Sequence, residues 1–171
     1  MEIPNLTTEV SLIEDEFIRL FTESILAKVP RYFWTLPASS SGKYHPPIER
    51  GPYGLVWHTK GVVKIGKVLL NSRLEVDRSC GISAMILHDV ARYGLGEKHS
   101  PYSLSNHPDL AADFILASVK DTDITHENFE KIESIAQAVR THMGRWSKSA
   151  LPQTDLDWLV HYADTVDANN Y

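Results

Sequence analysis

The amino-acid sequence predicts an all-α fold, and three observations support this prediction. Apolar residues recur at helical spacing in six segments, three of these segments end at a proline or a glycine, and no window alternates with period two between hairpin turns. The chain has 171 residues, a length that suits one domain with a single core. We therefore predict one helical bundle that spans residues 1–171.

Five of the six predicted helices have a start or a stop signal. Ser11 and Glu14 fit a capping box that opens the first helix, and Pro30 ends it. Gly94 and Gly144 are placed to end two later helices, because glycine readily adopts the left-handed conformation found after a helix. The later helices are predicted over residues 54–70, 77–93, from 107 onward, 127–143 and 154–168.

Residues 31–53 form the one segment with no helical spacing. They hold four of the nine prolines and five aromatic residues. A connection of about 20 residues without regular structure is uncommon in a compact domain, and such loops are usually functional or disordered. The aromatic residues favour packing over disorder. Two interpretations remain open: a loop that lies over an active site, and a structural wrap that covers a helix end.

Composition and charge exclude several classes of function. The chain carries 17 Lys and Arg against 22 Asp and Glu, a net charge of −5, which disfavours dedicated nucleic-acid binding. No apolar run is long enough to cross a bilayer, and the N-terminus lacks the basic start and apolar stretch of a signal peptide. The single cysteine, Cys80, cannot form an internal disulfide, which is typical of a reducing compartment. We therefore expect a cytoplasmic protein without membrane contact, and a homodimer through the first helix stays open.

Four predicted helices carry an ionisable residue on their apolar stripe. His58 follows Leu55 by three residues and precedes Val62 by four, so it lies on the core-facing side of its helix. A single inward histidine is more often a hydrogen-bonded core residue than a metal ligand. Several imidazoles beside at least two buried carboxylates are different, because one or two metal ions in a bundle core would satisfy them together. The inward positions of the three other helices are Asp89 beside His88, His142, and Asp164.

The order of these residues, His58, then His88-Asp89, then Asp164, resembles the H…HD…D signature of the HD-domain metal-dependent phosphohydrolases. The resemblance covers about residues 54–168 and implies a helical bundle of the HD type with a metal site in its core. The stretches HTKGVV, AVRTHMGR and HYADTVDA are most similar to the HD-type diadenosine-tetraphosphate hydrolases. The GYP motif of the HD-GYP cyclic-dinucleotide phosphodiesterases is absent, so their reaction is not supported.

Two further histidines extend the resemblance to the dinuclear, six-ligand branch. His107 in NHPDLAADFI and His142 in AVRTHMGRW resemble the extra ligands of that branch. The resemblance implies two divalent ions per chain, Fe or Mn first, with Zn, Ni, Co or Mg as alternatives. Asp89 would be the catalytic bridging ligand, and a hydroxide between the ions would attack phosphorus in a nucleotide or dinucleotide. The implied ligands are His58, His88, Asp89 and Asp164 for one ion, and His107, His142 and the shared Asp89 for the other.

Basic and aromatic residues near the predicted ligands are candidates for catalysis and substrate binding. Lys60 follows His58 by two residues and is a candidate catalytic cation. In the loop, Lys43 follows serines and a glycine, a combination of cation, hydroxyls and backbone N–H groups that suits phosphate. For each basic residue a solvated surface charge remains the alternative. The other candidates are Tyr44 and His45, which could stack on a base or protonate a leaving group, and Arg92 and Arg145, which could bind phosphate.

Two other functions remain open beside the predicted phosphohydrolase. Some six-ligand HD proteins resemble myo-inositol and phosphonate oxygenases, in which a diiron pair activates O₂ with the same ligands. A metal-stabilised interaction module is the non-enzymatic alternative, and the complete ligand set argues against it. We therefore predict an enzyme acting on a small phosphorylated substrate, with a diiron oxygenase as the alternative.

Overall fold

A computed structural model describes residues 3–72, 75–96, 98–119, 124–148 and 150–168. All regular structure in these ranges is helical, which confirms the predicted all-α fold. The ends of the predicted domain, residues 1–2 and 169–171, lie outside the described residues. The α-helices are α1 (Thr7–Val10), α2 (Glu16–Leu26), α3 (Gly54–Leu70), α4 (Arg78–Leu87), α5 (His107–Ala117), α6 (His126–Thr141) and α7 (Asp155–Ala168), and short 3₁₀ helices cover Arg31–Trp34, Pro47–Glu49 and Gly144–Trp146.

The helices surround one apolar core, to which α3, α4 and α6 contribute most of the packing. Helix α3 packs on α4 and α7, α6 packs on α4, α5 and α7, and α2 covers the outer side of α4. Leu55, Val62, Met85 and Ile135 are among the side chains with no exposed surface. Burying each such side chain contributes roughly 1.5–3 kcal/mol to the stability of the fold. None of the described helices is both long and apolar enough to cross a lipid bilayer.

The first long helix begins later than the sequence predicts. Asp15 caps it, because the Asp15 carboxylate accepts the Ile18 N–H at 3.1 Å and is held by the Lys131 ammonium at 2.9 Å. Ser11 instead lies at the end of the short helix α1. The buried Ile13 side chain points into the core between the two helices, so the chain bends there and the predicted capping box at Ser11 does not form.

Helix α4 ends earlier than predicted, at Leu87 rather than near residue 93. The chain continues through residues 88–93 in tight turns, and its N–H groups reach back three residues, as in the 3.0 Å bond from the Arg92 N–H to the Asp89 carbonyl. The His88 imidazole contributes to the change because its Nδ1 lies 2.7 Å from the Met85 carbonyl and competes for that acceptor. The tightened backbone turns both His88 and Asp89 into the core.

The segment 31–53 is packed against the ends of α3 and α4. The Tyr32 hydroxyl donates to the Gly94 carbonyl at 2.7 Å and accepts the Tyr93 N–H at 3.0 Å. Backbone bonds join the two halves of the segment, including the 3.0 Å bond from the Ala38 N–H to the Glu49 carbonyl. These contacts fix the segment beside the first turn of α3.

Candidate metal centre

The six predicted ligands meet in the core of the bundle. Each lies at a structural boundary or on an inward helix face, and each residue is buried. His107 is the first residue of α5, which follows the loop that ends at Asn106, and His142 is the C-terminal cap of α6. The set comprises His58 on α3, His88 and Asp89 after α4, His107, His142, and Asp164 on α7.

Asp89 lies at the centre of this cluster, and its two carboxylate oxygens face different imidazoles. Asp89 Oδ1 lies 2.9 Å from His107 Nε2 and 3.5 Å from His142 Nε2. Asp89 Oδ2 lies 3.8 Å from His58 Nε2 and 3.7 Å from His88 Nε2. We call these groups the Oδ1 side and the Oδ2 side of the cluster.

Asp164 adds a second carboxylate to the Oδ2 side. Its Oδ1 atom lies 3.1 Å from His58 Nε2 and 3.9 Å from His88 Nε2. The Asp164 side chain is 11% exposed, whereas the His58, His88 and Asp89 side chains are at most 1% exposed. Solvent therefore reaches the cluster beside Asp164.

Backbone carbonyls fix the orientation of three of the four central imidazoles. A carbonyl oxygen only accepts hydrogen bonds, so Nδ1 of each ring carries the hydrogen, and Nε2 offers its lone pair in the neutral ring. Ligation through Nε2 therefore needs no change of tautomer. The three Nδ1–carbonyl pairs are His88 with Met85 at 2.7 Å, His107 with Leu104 at 2.6 Å, and His142 with Val139 at 2.7 Å.

Carboxylates instead hold the fourth imidazole, His58. Its Nδ1–H donates to Asp167 Oδ2 at 2.8 Å, and Glu49 Oε2 lies 3.4 Å from the same nitrogen. Glu49 Oε2 also accepts from His45 Nδ1 at 2.9 Å. His45, Glu49 and Asp167 together are called the His58 clamp below.

The polar atoms at the centre fit a divalent cation. Nε2 of His58 lies 3.1 Å from Nε2 of His88, and Nε2 of His107 lies 3.2 Å from Nε2 of His142, so each contact requires a proton or a cation between the two nitrogens. Asp89 Oδ2 is buried, and no hydrogen-bond donor reaches it from the part of the chain that the structure describes. A buried carboxylate oxygen without a partner is costly. Imidazole nitrogens and carboxylate oxygens are suitable ligands for Mn, Fe and Zn.

The pKa values of the two imidazoles of the Oδ2 side are shifted in opposite directions. Burial opposes protonation of His58, but hydrogen bonds to Asp164, Asp167 and Glu49 outweigh burial and raise the pKa of His58 well above its usual value. Burial lowers the pKa of His88 to about 4, because the nearby carboxylates compensate only in part. The difference arises because His58 contacts the Asp164 carboxylate at Nε2 and further carboxylates at Nδ1, whereas Nδ1 of His88 faces a neutral carbonyl.

The carboxylates of the centre and of the clamp are charged to different extents. Burial favours the neutral form of Asp89, but Arg92, His88 and His107 outweigh it and keep the pKa of Asp89 well below its usual value. Burial also favours the neutral form of Glu49, but its hydrogen bonds with His45 and His58 lower its pKa to about 2. Burial raises the pKa of Asp167. The Asp89 carboxylate is therefore charged where a divalent cation would bind.

Arg92 is the predicted phosphate-binding residue that the structure brings to the cluster. Its Nη1 lies 3.3 Å from Asp89 Oδ1 and 3.2 Å from His107 Nε2, and its side chain is 13% exposed. The Arg92 Nε–H is buried and has no acceptor among the described residues. The guanidinium therefore lies on the Oδ1 side with part of its surface open to solvent.

The structure does not bring Lys60 to the cluster. Two residues along an α-helix correspond to about 200° of rotation, so Lys60 and His58 project from opposite sides of α3. The Lys60 ammonium lies 2.6 Å from the Glu9 carboxylate and 2.7 Å from the Asn5 carbonyl. The catalytic role expected of Lys60 is therefore not supported by its position, which serves the N-terminal segment.

The other predicted substrate-binding residues occupy different environments. His45 is buried, with Nδ1 held by Glu49 and its ring against His58 at a centroid distance of 4.7 Å, so it does not present the stacking surface expected of it. Lys43 and Tyr44 are exposed. Arg145 is also exposed and lies over the Trp146 ring, 5.6 Å from its centroid.

Glu49 and Asp167 are the site-forming residues that the sequence analysis omitted. Asp167 follows Asp164 by three residues and therefore lies on the same face of α7, a signal that helical spacing could have provided. Glu49 lies in a short 3₁₀ helix of a segment without periodicity, so no spacing marked it. Its role becomes visible only through the tertiary contact with His58.

A concavity of about 570 Å³ elsewhere on the surface does not coincide with the ligand cluster. It lies between α4, α6 and the start of α7, and its lining includes none of the six residues. Glu127, Glu130, Glu133 and Asp155 give it a carboxylate-rich wall, which would repel a phosphorylated substrate. The candidate metal centre is therefore marked by the chemistry of its donor atoms and not by the size of a cavity.

Comparison with known families agrees with this geometry. The family model of the HD domain matches residues 56–169, and the chain therefore belongs to the HD domain family. This confirms the family predicted from the order of His58, His88-Asp89 and Asp164. The family includes metal-dependent phosphohydrolases, and its domains bind divalent metals. Searches among curated proteins and among solved structures found no match for the chain.

Proposed function

We propose that the protein is a dinuclear metal-dependent phosphohydrolase that cleaves a phosphoester or phosphoanhydride bond of a nucleotide or dinucleotide. One observation carries the proposal: the two carboxylate oxygens of Asp89 face separate pairs of imidazole nitrogens. A carboxylate placed in this way can share its charge between two cations. Membership of the HD domain family supports the same reaction class.

The ligand sets for two ions follow from the distances around Asp89. Asp89 Oδ2 would bind one ion together with the imidazoles of the Oδ2 side and Asp164, and Asp89 Oδ1 would bind the other with the imidazoles of the Oδ1 side. Ions held there lower the pKa of water and neutralise the charge of phosphate oxygens. The carbonyl bonds at Nδ1 keep three of the four imidazoles in the ligating tautomer, so they need little rearrangement to bind.

Arg92 is the residue best placed to bind the substrate's phosphate. A guanidinium offers paired N–H donors that match two phosphate oxygens. Arg92 reaches the Oδ1 side of the cluster, and its Nε–H has no acceptor among the described residues. Asp164, on the opposite side of Asp89, is the other partly exposed residue of the site. We infer that the phosphate enters between these two side chains and lies next to Asp89.

The substrate class rests on similarity rather than on a contact. HTKGVV around His58, AVRTHMGR around His142 and HYADTVDA around Asp164 resemble the HD-type diadenosine-tetraphosphate hydrolases. Each stretch contains a residue of the candidate centre, so the resemblance concerns the environment of the site. A nucleotide or dinucleotide is therefore the first substrate class to test, with Fe or Mn as the first metals.

The test combines metal analysis with a substrate screen. Protein purified without chelators is analysed for bound elements and assayed for phosphate release from nucleoside mono-, di- and triphosphates and dinucleotides, with and without O₂. We expect about two divalent ions per chain and hydrolysis that does not need O₂. Turnover that requires O₂ and releases no phosphate would identify the diiron oxygenase instead. The Asp89→Asn variant is the matched control for contaminating phosphatase, because a neutral amide bridges two cations poorly.

A further inference from the structure

A second group of buried polar side chains lies behind His58, on the Nδ1 side of the ring. Asp167 Oδ2 accepts from His58 Nδ1 at 2.8 Å, and Glu49 Oε2 lies 3.4 Å from the same nitrogen. His45 Nδ1 donates to Glu49 Oε2 at 2.9 Å. The side chains of His45, Glu49 and Asp167 are at most 8% exposed. The His58 clamp is therefore a buried hydrogen-bond network, and the His58 imidazole connects it to the proposed metal centre.

Two glycines in α3 make this network possible. A β-carbon at Gly61 would collide with the Asp167 carboxylate, and a β-carbon at Gly54 would collide with the Glu49 carbonyl oxygen. Glycine inside a helix is less favourable than alanine. Gly61 lies inside α3 and carries this cost at the point where the Asp167 carboxylate approaches, whereas Gly54 is the first residue of the helix, where the segment with Glu49 approaches.

Packing alone does not account for the clamp. Two buried carboxylates are costly to desolvate, and apolar side chains would fill the same space at lower cost. What the carboxylates supply is a fixed acceptor for His58 Nδ1–H, which keeps Nε2 directed toward Asp89 and Asp164. Carboxylates that hold the second nitrogen of a ligating imidazole orient the ring and increase its basicity.

We propose that Glu49 and Asp167 are positioning residues that hold His58 in its metal-binding orientation, and that His45 ties the segment 31–53 to them, so that metal binding and docking of this segment reinforce each other. The inference rests on metal binding at the proposed centre, whereas the identity of the substrate does not enter it. A cation at Nε2 makes Nδ1–H a stronger donor and strengthens its bonds to the clamp. By linkage, the clamp must strengthen metal binding by the same factor.

The first experiment measures metal affinity in full-length variants. Asp167→Asn and Glu49→Gln keep the size of each side chain and remove its charge. We expect the dissociation constant for Mn²⁺ to rise about 10–100-fold in each, as is typical when a partner of a ligating histidine is lost. The visible absorption spectrum of bound Co²⁺, which reports ligand geometry, should shift in the same variants.

Asp157→Asn is the matched control. Asp157 is a buried carboxylate on the same helix, and it accepts the backbone N–H groups of Gln153 and Thr154 at 2.9 and 3.2 Å. This variant should lose stability but keep the Mn²⁺ affinity and the Co²⁺ spectrum of the unmodified protein. Clamp variants that behave like Asp157→Asn in both measurements would overturn the proposal and leave the proposed hydrolase untouched.

The second experiment begins with the unmodified protein, so its main outcome does not depend on whether a variant folds. Hydrogen exchange of the amides in residues 36–55 is compared with and without saturating Mn²⁺, and the backbone bonds from Ala38 to Glu49 and from Leu55 to Leu36 are the reporters. We expect slower exchange with Mn²⁺, and we expect His45→Gln to reduce this protection while Mn²⁺ still binds. Exchange that does not respond to bound Mn²⁺ in the unmodified protein would overturn the coupling. Failure to bind any divalent ion would overturn both this inference and the proposed function, whereas absent phosphatase activity alone would overturn only the latter.

Discussion

His58 and His88 are neighbours in the core, and they differ in what stands behind them. Their Nε2 atoms are 3.1 Å apart and both rings are fully buried. His88 is held by a carbonyl three residues earlier in its own chain segment, whereas His58 is held by carboxylates from two distant segments. His58 also contacts the Asp164 carboxylate through Nε2 at 3.1 Å, and the pKa values of the two rings are shifted in opposite directions. Hydrogen-bonded carboxylates, at Nε2 as well as at Nδ1, therefore decide the charge of a buried imidazole more than burial itself does.

The largest effect is expected from substituting Asp89, the residue that both sides of the cluster share. Asp89→Ala takes away the oxygens that face His58, His88, His107 and His142, so metal should be lost from both sides. We expect kcat/KM to fall at least about 10³-fold, equivalent to roughly 4 kcal/mol. Elemental analysis and phosphate release measure the effect, and circular dichroism checks that the helices remain. Turnover at the unmodified rate in this variant would remove the metal hypothesis.

The pH dependence of metal-stripped protein tests the comparison between the two histidines. The folded-state pKa of His88 is about 4, below the ordinary value of 6.5, so the unfolded chain binds more protons between these values. The contribution of His88 therefore lowers the free energy of unfolding as pH falls from 6.5 to 4, by up to about 3 kcal/mol. His58 has a raised pKa, so its stabilisation is present below pH 6.5 and is lost as pH rises above it.

Urea unfolding of chelator-treated protein between pH 4 and 9 measures both contributions. For these two groups alone, stability is greatest near pH 6.5. His88→Gln should flatten the acidic side of the curve, and His58→Gln should flatten the alkaline side. The comparison fails if both substitutions change the same side.

A smaller effect should distinguish Arg92, which lies at the cluster, from Lys60, which is close to a predicted ligand only in the sequence. Arg92 contacts Asp89 and His107, so Arg92→Ala should lower kcat/KM about 10–100-fold, equivalent to roughly 1.4–2.7 kcal/mol, with bound metal retained. Lys60→Ala is the matched control, because its ammonium is paired with Glu9 and should contribute at most about 1 kcal/mol to stability. Steady-state kinetics on both variants decides, and equal losses of activity would contradict the assignment of Arg92.

Helical spacing predicted the helices and the inward residues well because both depend on local periodicity. His58 and Asp164 stand at positions where the apolar stripe requires a buried side chain, and both are buried. The predicted start of the first long helix was wrong because the observed cap, Asp15, is held by Lys131. Lys131 lies 116 positions away in the sequence, and no local pattern reveals this contact. Glu49 was not predicted as a site residue for the same reason, since only the folded chain brings it to His58.

The position of Gly61 has a consequence for comparing this chain with other members of its family. Any side chain at position 61 would occupy the space of the Asp167 carboxylate. The two positions should therefore covary across HD domains, with glycine three residues after the first ligand histidine accompanying an acid three residues after the last ligand aspartate. A relative with a larger residue at the first position should have lost the acid at the second, and its first histidine should then be oriented by another partner.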